Sequence, residues 1–364
     1  MRFFTNKLES MNPASTWPII LGKLLEKSDL SRSEASWAMS QIMSGESSDA
    51  QIGAFMMALR SKGETVDELA GLVDVMLQHS VILDTGSDAV DIVGTGGDMV
   101  GTVNISTMAS IVASAAGVPV MKHGSRSASG KTGSSEMLEV LGIRLDLSPD
   151  RVAEIFVQNG LTFFFAPVFH PAMRHVAPIR KALGVPTTFN FLGPLANPAQ
   201  PKSTSLGVAN RTIAPLMAAE MAARGRNALV FRGSDGLDEL TTTGNSEIWL
   251  VQGGEVREFE LNPADLGLKT ADLADLVGGD AHHNAEAAKK LFAGEKHGAL
   301  AAIRDVVALN AAGGLVAYEL AEKQIQTQAE LIASFAAAMI KTFDAIDSGQ
   351  AAEKLSQWMS ASQA

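Results

Sequence analysis

The sequence predicts an α/β fold: a small all-helical N-terminal domain, then a larger α/β domain with a mainly parallel central sheet. Three observations carry this expectation. Residues Trp17 to Leu83 show helical apolar spacing throughout. From Val90 onward, short apolar runs leading into glycine alternate with helical runs, the pattern of parallel strands joined by crossover helices. A chain of 364 residues has room for two domains and can bury a sizeable core without staples.

Taken in order, residues 1–15 read as a flexible arm and 16–88 as the helical domain. Its apolar stripes are Ile20, Leu21, Leu24 and Leu25, then Ile52, Phe55, Met56 and Leu59, then Leu69, Leu72, Val73 and Met76. Ser31 and Ser33 before Glu34 suit a helix start, and Gly63 suits a stop. The α/β domain is expected over 89–364. Val90–Val93, Val118–Met121 and Ala228–Phe231 read as buried strands, and Thr107–Ala116 as a helix stopped by Gly117. From Ala285 the chain is Ala-rich and mostly helical.

Composition narrows the function. Forty acidic against 29 basic residues give a net charge of −11. A field of that sign repels nucleic acid and anionic lipid, so neither is an expected partner. The absence of cysteine excludes a thiolate nucleophile, a disulfide framework and a Cys-ligated metal. No apolar signal core follows Met1, and the longest near-apolar stretch seen, Thr107 to Met121, is broken by serines and Pro119. A cytoplasmic, non-membrane protein is expected.

Three segments carry anion chemistry. Asp91–Asp98, reading DIVGTGGD, runs into Thr102–Thr107 with a helix beginning near Ser106. Glycines admit close approach of backbone N–H groups and a helix start adds unpaired donors, which together make a phosphate cradle; the alternative is a plain strand-to-helix turn. The spacing is neither a Rossmann fingerprint nor a P-loop. Lys122–Ser135 holds Lys122, Arg126 and Lys131, and no acid lies between Asp98 and Glu136. It reads as a basic ligand loop or as a solvated one. The third segment, Ala166–Asn197, includes His170, Arg174, His175, Arg180 and the run Asn190–Leu195. It lies within 155–219, where no acid occurs although roughly seven would be expected from the average composition. The histidines are not metal-spaced with a carboxylate, and a structural role suits them equally. Set apart is Asp238-Glu239, on a loop after a strand, as a Mg²⁺ pair or an acidic helix start.

These strings, in this order, closely resemble the anthranilate phosphoribosyltransferase family, of the nucleoside phosphorylase-like transferase fold. GTGGD, NIST, KHG-R, FNFLGPL-NP and DGLDE are specific in combination, and the likeness runs from Trp17 to near the C-terminus. The resemblance implies a helical domain, joined by a later segment near 180–200, with a cleft between it and the α/β domain. It implies a homodimer and a reaction that joins anthranilate to C1 of phosphoribosyl pyrophosphate (PRPP), releasing pyrophosphate in tryptophan biosynthesis. Carried over by position, PRPP would be lined by Gly94, Gly97, Asp98, Thr102, Asn104, Ile105, Ser106 and Thr107. Further along, Lys122, His123, Gly124, Ser125, Arg126, Ser127, Ala128, Ser129, Gly130 and Ser134 would join them. Mg²⁺ would be held by Ser106, Asp238 and Glu239; anthranilate would face Gly94, Ser125 and Arg180. Lys122 would act electrostatically, with no covalent nucleophile.

That chemistry suits these residues. Departing pyrophosphate gathers negative charge, which Mg²⁺ and lysine stabilise, and the neutral aniline nitrogen is already nucleophilic. An arginine fork fits the acceptor carboxylate. The chain departs from the family at Ser125, where Asn is usual, and at Gly130, where Ser is usual. A pyrimidine nucleoside phosphorylase and a nucleic-acid-binding paralogue without the activity are the rival readings. The acid pair and the HPAMRH run (170–175) speak against the first, and the net charge against the second.

Overall fold

The computed structural model describes residues 15–85, 88–127 and 132–364. Residues 1–14 of the expected arm, and Ala128, Ser129 and Gly130 of the expected ligand loop, lie outside the described residues. The chain divides into two units. One holds the described residues up to Ser80 with His170–Leu192; the other holds Val81–Phe169 with Gly193–Ala364.

The first unit opens with helices Trp17–Leu25, Arg32–Met43, Asp49–Lys62 and Val66–Gln78. Local chemistry sets their ends. Ser31, Ser48 and Thr65 accept from the backbone N–H of Glu34, Gln51 and Glu68, whose side chains return the bond, making three capping boxes. Gly63 closes the third helix at φ 92°, which glycine adopts without strain. Most of the apolar stripes point inward, with Ile20, Leu24, Ile52, Phe55, Leu59, Leu69 and Leu72 buried, but Leu25 at the end of the first helix faces out at 78% exposed. Trp17 meets Trp37 and Phe55 edge-on at 5.5 and 5.8 Å. Gly71 lets the second and fourth helices touch, since a Cβ there would strike the Arg32 carbonyl.

A later segment does join this unit, as His170–Leu192, overlapping the expected stretch near 180–200 but starting and ending earlier. Ile179 packs beside Gly53, and Thr188 Oγ1 donates to Glu64 Oε1 at 2.6 Å. From Gly193 the chain is tied to the sheet instead. Asn197 Nδ2 donates to Asp91 Oδ2 and to the Met121 carbonyl, each at 2.8 Å. The second unit likewise begins at Val81, whose N–H donates to the Phe169 carbonyl, rather than at 89.

The second unit is built on seven strands: β1 (Val90–Gly94), β2 (Val120–Gly124), β3 (Leu161–Phe165), β4 (Ser203–Gly207), β5 (Asn227–Gly233), β6 (Ser246–Gln252) and β7 (Glu255–Leu261). Their order is β3-β2-β1-β4-β5-β6-β7. The first five are parallel; β6 and β7 form an antiparallel hairpin on the edge. Gly253-Gly254 turns that hairpin at φ 62° and 80°, as a two-residue I′ turn requires. β2 starts two residues later than the sequence suggests, because Gly117 at φ 95° and Pro119 are spent leaving the preceding helix.

Helix Ala299–Glu319 runs through the core of this unit. It carries Arg304, Asp305 and Glu319, yet by length and composition it is, among the described residues, the one helix that could cross a bilayer, and most of it is buried inside the unit. Val306, Val307, Leu309, Leu315 and Val316 are buried in the same cluster as β1 and β5. Gly313 and Gly314 bring it close to the sheet, since a Cβ on Gly314 would strike Ile92.

Candidate active site

Strands β1, β2, β4 and β5 all end in glycine: Gly94, Gly124, Gly207 and Gly233. A Cβ on Gly94 would strike the Asp238 carboxylate, one on Gly207 the Asp238 main chain, and one on Gly233 the Asp235 carboxylate. The loop after β5 therefore lies directly on the carboxyl edge of the sheet. It sits between β1 and β4, where the strand order reverses, the place at which open α/β sheets bind ligands.

The loop after β1 is shaped by left-handed residues: Gly96 (φ 67°), Gly97 (88°), Met99 (63°) and Gly101 (72°). Gly96 N–H donates to Asp238 Oδ2 at 2.6 Å, and Val100 N–H to Asp98 Oδ1 at 2.9 Å. Asp98 and Asp238 share a side-chain hydrogen bond. The helix that follows is Ile105–Ala115. Its N-cap, Asn104, makes no side-chain bond to the helix; its amide instead spans Thr132 O (3.3 Å) and Asn284 Nδ2 (2.8 Å). Ser106 N–H donates to Glu239 Oε1 at 3.3 Å. The Thr107 hydroxyl is buried without a hydrogen-bond partner among the described residues. Thr102 bridges to Val277 beside this helix start.

Lys122 is only 2% exposed. Its Nζ donates to the Ile92 carbonyl (2.5 Å) and to Ser106 Oγ (3.3 Å), and it feels the charges of Asp91, Glu239 and Asp238. The backbone of His123 donates to Asp91 Oδ1 at 3.1 Å, and its Nδ1 lies 3.1 Å from the Gly193 carbonyl. Of the three cations that the sequence places in this loop, Lys122 is thus bonded to the Ile92 carbonyl and the Ser106 hydroxyl within the field of the buried acids. Arg126 forms a bidentate pair with Glu139 at 2.8 and 3.1 Å over the Phe165 ring, and Lys131 lies outside the described residues. Ser127 N–H is held by Glu136, and Ser134 Oγ by the Ser125 carbonyl. Ser125 itself is exposed beside Gly124.

Burial dominates the electrostatics. It pushes Asp238 up to about 7, with the charge of Asp98 acting in the same direction against the Gly96 N–H bond. Burial and the charge of Asp238 hold Glu239 well above the usual carboxylate range. Asp91 rises to about 6 by burial, opposed by Lys122, Asn197 and the His123 N–H. Lys122 is lowered by burial despite its acidic neighbours. Three crowded carboxylates facing one lysine fit a divalent cation, which would relieve both the desolvation and the repulsion. Among the described residues no three His, Cys, Asp or Glu side chains form a ready metal cage. Mg²⁺ needs none, because it takes one or two carboxylates and leaves its other positions to water and phosphate.

Arg180 belongs to the helical unit, on helix Ala177–Leu183, and is half-buried. Burial lowers it, and among the described residues its guanidinium has no hydrogen-bond or ion-pair partner. Asp91, Asn197 and Asn284 were not among the sequence candidates. A charge inside the apolar run Val90–Val93 is the signal that would have pointed to the first.

Comparison with known proteins accounts for both units. The glycosyl transferase family, helical bundle domain, matches residues 18–80, and the glycosyl transferase family, a/b domain, matches 86–352. The anthranilate phosphoribosyltransferase of Leifsonia xyli subsp. xyli is 52% identical over 351 residues, covering 96% of this chain and 99% of that one. The crystal structure of the Thermus thermophilus anthranilate phosphoribosyltransferase aligns with TM-score 0.85 at 38% identity, covering 95% and 99% of the two chains. The Saccharomyces cerevisiae enzyme in complex with PRPP and Mg aligns with TM-score 0.85 at 29% identity, covering 97% and 99%. The same yeast enzyme in complex with 4-fluoroanthranilate aligns with TM-score 0.82 at 28% identity, covering 95% and 97%. With half its residues shared with a relative matched almost end to end, the chain belongs to the anthranilate phosphoribosyltransferase family of glycosyl transferases.

Proposed function

We propose that this chain transfers the phosphoribosyl group of PRPP to the amine of anthranilate, giving N-(5-phosphoribosyl)anthranilate and pyrophosphate, with Mg²⁺ as cofactor. One observation carries the reading. The carboxylates Asp98, Asp238 and Glu239 share the sheet edge with a glycine loop and a helix start. A polyanion meets repulsion there unless cations accompany it, so an anion cradle beside an acid cluster suits a metal-bound pyrophosphate.

The residues divide the work. Gly94, Gly97, Asp98, Thr102 and Asn104–Thr107 would bind PRPP from the β1 loop and helix start. His123 to Gly130 and Ser134 would bind it from the β2 loop. Ser106, Asp238 and Glu239 would hold Mg²⁺, which when bound neutralises the pyrophosphate oxygens. Lys122, bonded to the Ile92 carbonyl and the Ser106 hydroxyl, would act electrostatically on the leaving charge. As the bond from C1 to pyrophosphate breaks, the acceptor nitrogen bonds to C1 and loses a proton. The aniline nitrogen needs no covalent helper, so positioning and electrostatics supply the rate. Arg180, a half-buried cation without a partner among the described residues, would hold the anthranilate carboxylate, with Gly94 and Ser125 beside the ring.

We place the reaction in the cytoplasm, which suits a cysteine-free chain. We further propose a homodimer formed through the helical unit, which exposes the large apolar side chains Ile19, Leu25, Met57 and Val185 among its described residues. The test of function is loss of anthranilate fluorescence, measured with and without PRPP and with excess chelator. PRPP-dependent loss that stops in chelator is expected; full turnover in chelator, or phosphorolysis of thymidine instead, overturns the assignment.

A further inference from the structure

Helix Ala299–Glu319 is aliphatic along its inward side except at Asn310, which is 1% exposed. Every polar capacity of this amide but one acceptor lone pair is engaged. Oδ1 accepts from Leu240 N–H at 2.9 Å, and Nδ2 donates to the Leu240 carbonyl at 2.8 Å and to Val306 O at 2.9 Å. The two bonds to Leu240 reproduce the pairing of neighbouring strands, so one loop residue is held like a position in a sheet. Three residues on, a Cβ at Gly313 would lie 2.8 Å from Leu240 Cδ1, which seats the helix against the same residue. Leu240 directly follows Asp238 and Glu239.

The other side of this loop is closed by Asp235, whose Oδ2 accepts from Thr241 Oγ1 (2.5 Å) and Thr243 Oγ1 (2.6 Å). That clamp is internal to the loop and fixes its shape. Gly96 N–H and Ser106 N–H hold the two carboxylates from above, and Asn310 bonds both main-chain groups of the next residue to the core helix. Two like charges side by side on a loop separate towards water unless the backbone beneath them is anchored. An amide buried in an apolar helix is tolerated only when its bonds are made, and an aliphatic residue would serve the core alone.

We infer that Asn310 is a positioning residue that holds the Asp238–Glu239 pair ready for the metal. This rests on reading the pair as the Mg²⁺ site. The test uses the full chain and the variants Asn310→Ala and Asn310→Ser. Mn²⁺ is titrated in the presence of pyrophosphate, with free Mn²⁺ followed by electron paramagnetic resonance and no turnover involved. Mn²⁺ affinity is expected to fall by about tenfold or more, the usual effect of removing a group behind a metal ligand. The Mg²⁺ concentration giving half-maximal rate should rise in parallel, with the anthranilate KM unchanged. Folded variants that bind Mn²⁺ as the unmodified chain does overturn the inference alone. An unmodified chain that binds no Mn²⁺ with pyrophosphate overturns the function reading and the inference with it. Should neither variant fold, hydrogen exchange on the unmodified chain decides. A Leu240 amide protected like the interior of β5 supports the anchor, and one exchanging as fast as exposed loops refutes it.

Discussion

Removing metal turns the buried carboxylates into a pH-dependent liability whose size follows from their environments. Asp91 and Asp238 have folded pKa values of about 6 and about 7, against an ordinary 3.8. Both are raised, so each contributes stability that is fully present below about pH 4 and lost as pH rises through 6 to 7. Between pH 5 and pH 8 the loss is roughly 1 kcal/mol for Asp91 and roughly 3 kcal/mol for Asp238. Glu239, also raised, extends the decline in the same direction. Urea unfolding in excess chelator should therefore show stability falling by roughly 4 kcal/mol from pH 5 to pH 8. Mg²⁺ binds the deprotonated carboxylates, so adding it at pH 8 should restore about 2.7 kcal/mol at a concentration 100 times its Kd. Asp238→Asn removes the larger part and should flatten the profile above pH 6. A chelated protein whose stability is constant or rises from pH 5 to 8, or the same slope in Asp238→Asn, would refute this account of the site.

Three further predictions address the other groups. Arg180→Ala should raise the anthranilate KM by roughly 10- to 150-fold, the value of a charged hydrogen bond, and move the PRPP KM little; an unchanged acceptor KM removes Arg180 from the site. Ser125→Asn should lower the anthranilate KM by roughly 2- to 12-fold, since the amide reaches further and both donates and accepts; equal shifts in both KM values, measured side by side, would exclude Ser125 from acceptor binding. Gly207→Ala drives a methyl into the Asp238 backbone and should cost about 1–3 kcal/mol of stability, with a larger loss of Mg²⁺-dependent turnover. Wild-type activity in that variant would mean that the loop is free to move.

What the sequence reveals about this site depends on whether a residue's role is local. The glycines of Gly94–Gly97 and the pair Asp238-Glu239 announce themselves because a strand end and a following loop are local features. Lys122 does not. Its charge reads as a ligand contact, yet strand pairing turns it towards Asp91, Glu239 and Asp238, and no spacing within Val120–Gly124 reveals which neighbour lies across the sheet. Opposite charges in two apolar runs, Asp91 in one and Lys122 in the other, were the available hint that β1 and β2 are adjacent.

β4 escaped for the opposite reason. Ser203-Thr204-Ser205-Leu206-Gly207 looks like a polar turn, but all five residues are buried in the middle of the sheet. Its small side chains follow from what crowds it. Gly207 admits the main chain of Asp238 above, and Ser205 faces Gly313 of the core helix, a Cβ there coming within 3.3 Å of its hydroxyl. Larger aliphatic residues in β4 would satisfy a sequence rule for buried strands and would push both the acid loop and the helix that carries Asn310 away from the sheet. The polar, small composition that hides this strand is therefore a requirement of the site built on it. A central strand of a parallel sheet can be short of β-branched aliphatics when the layers on it approach at glycine distance.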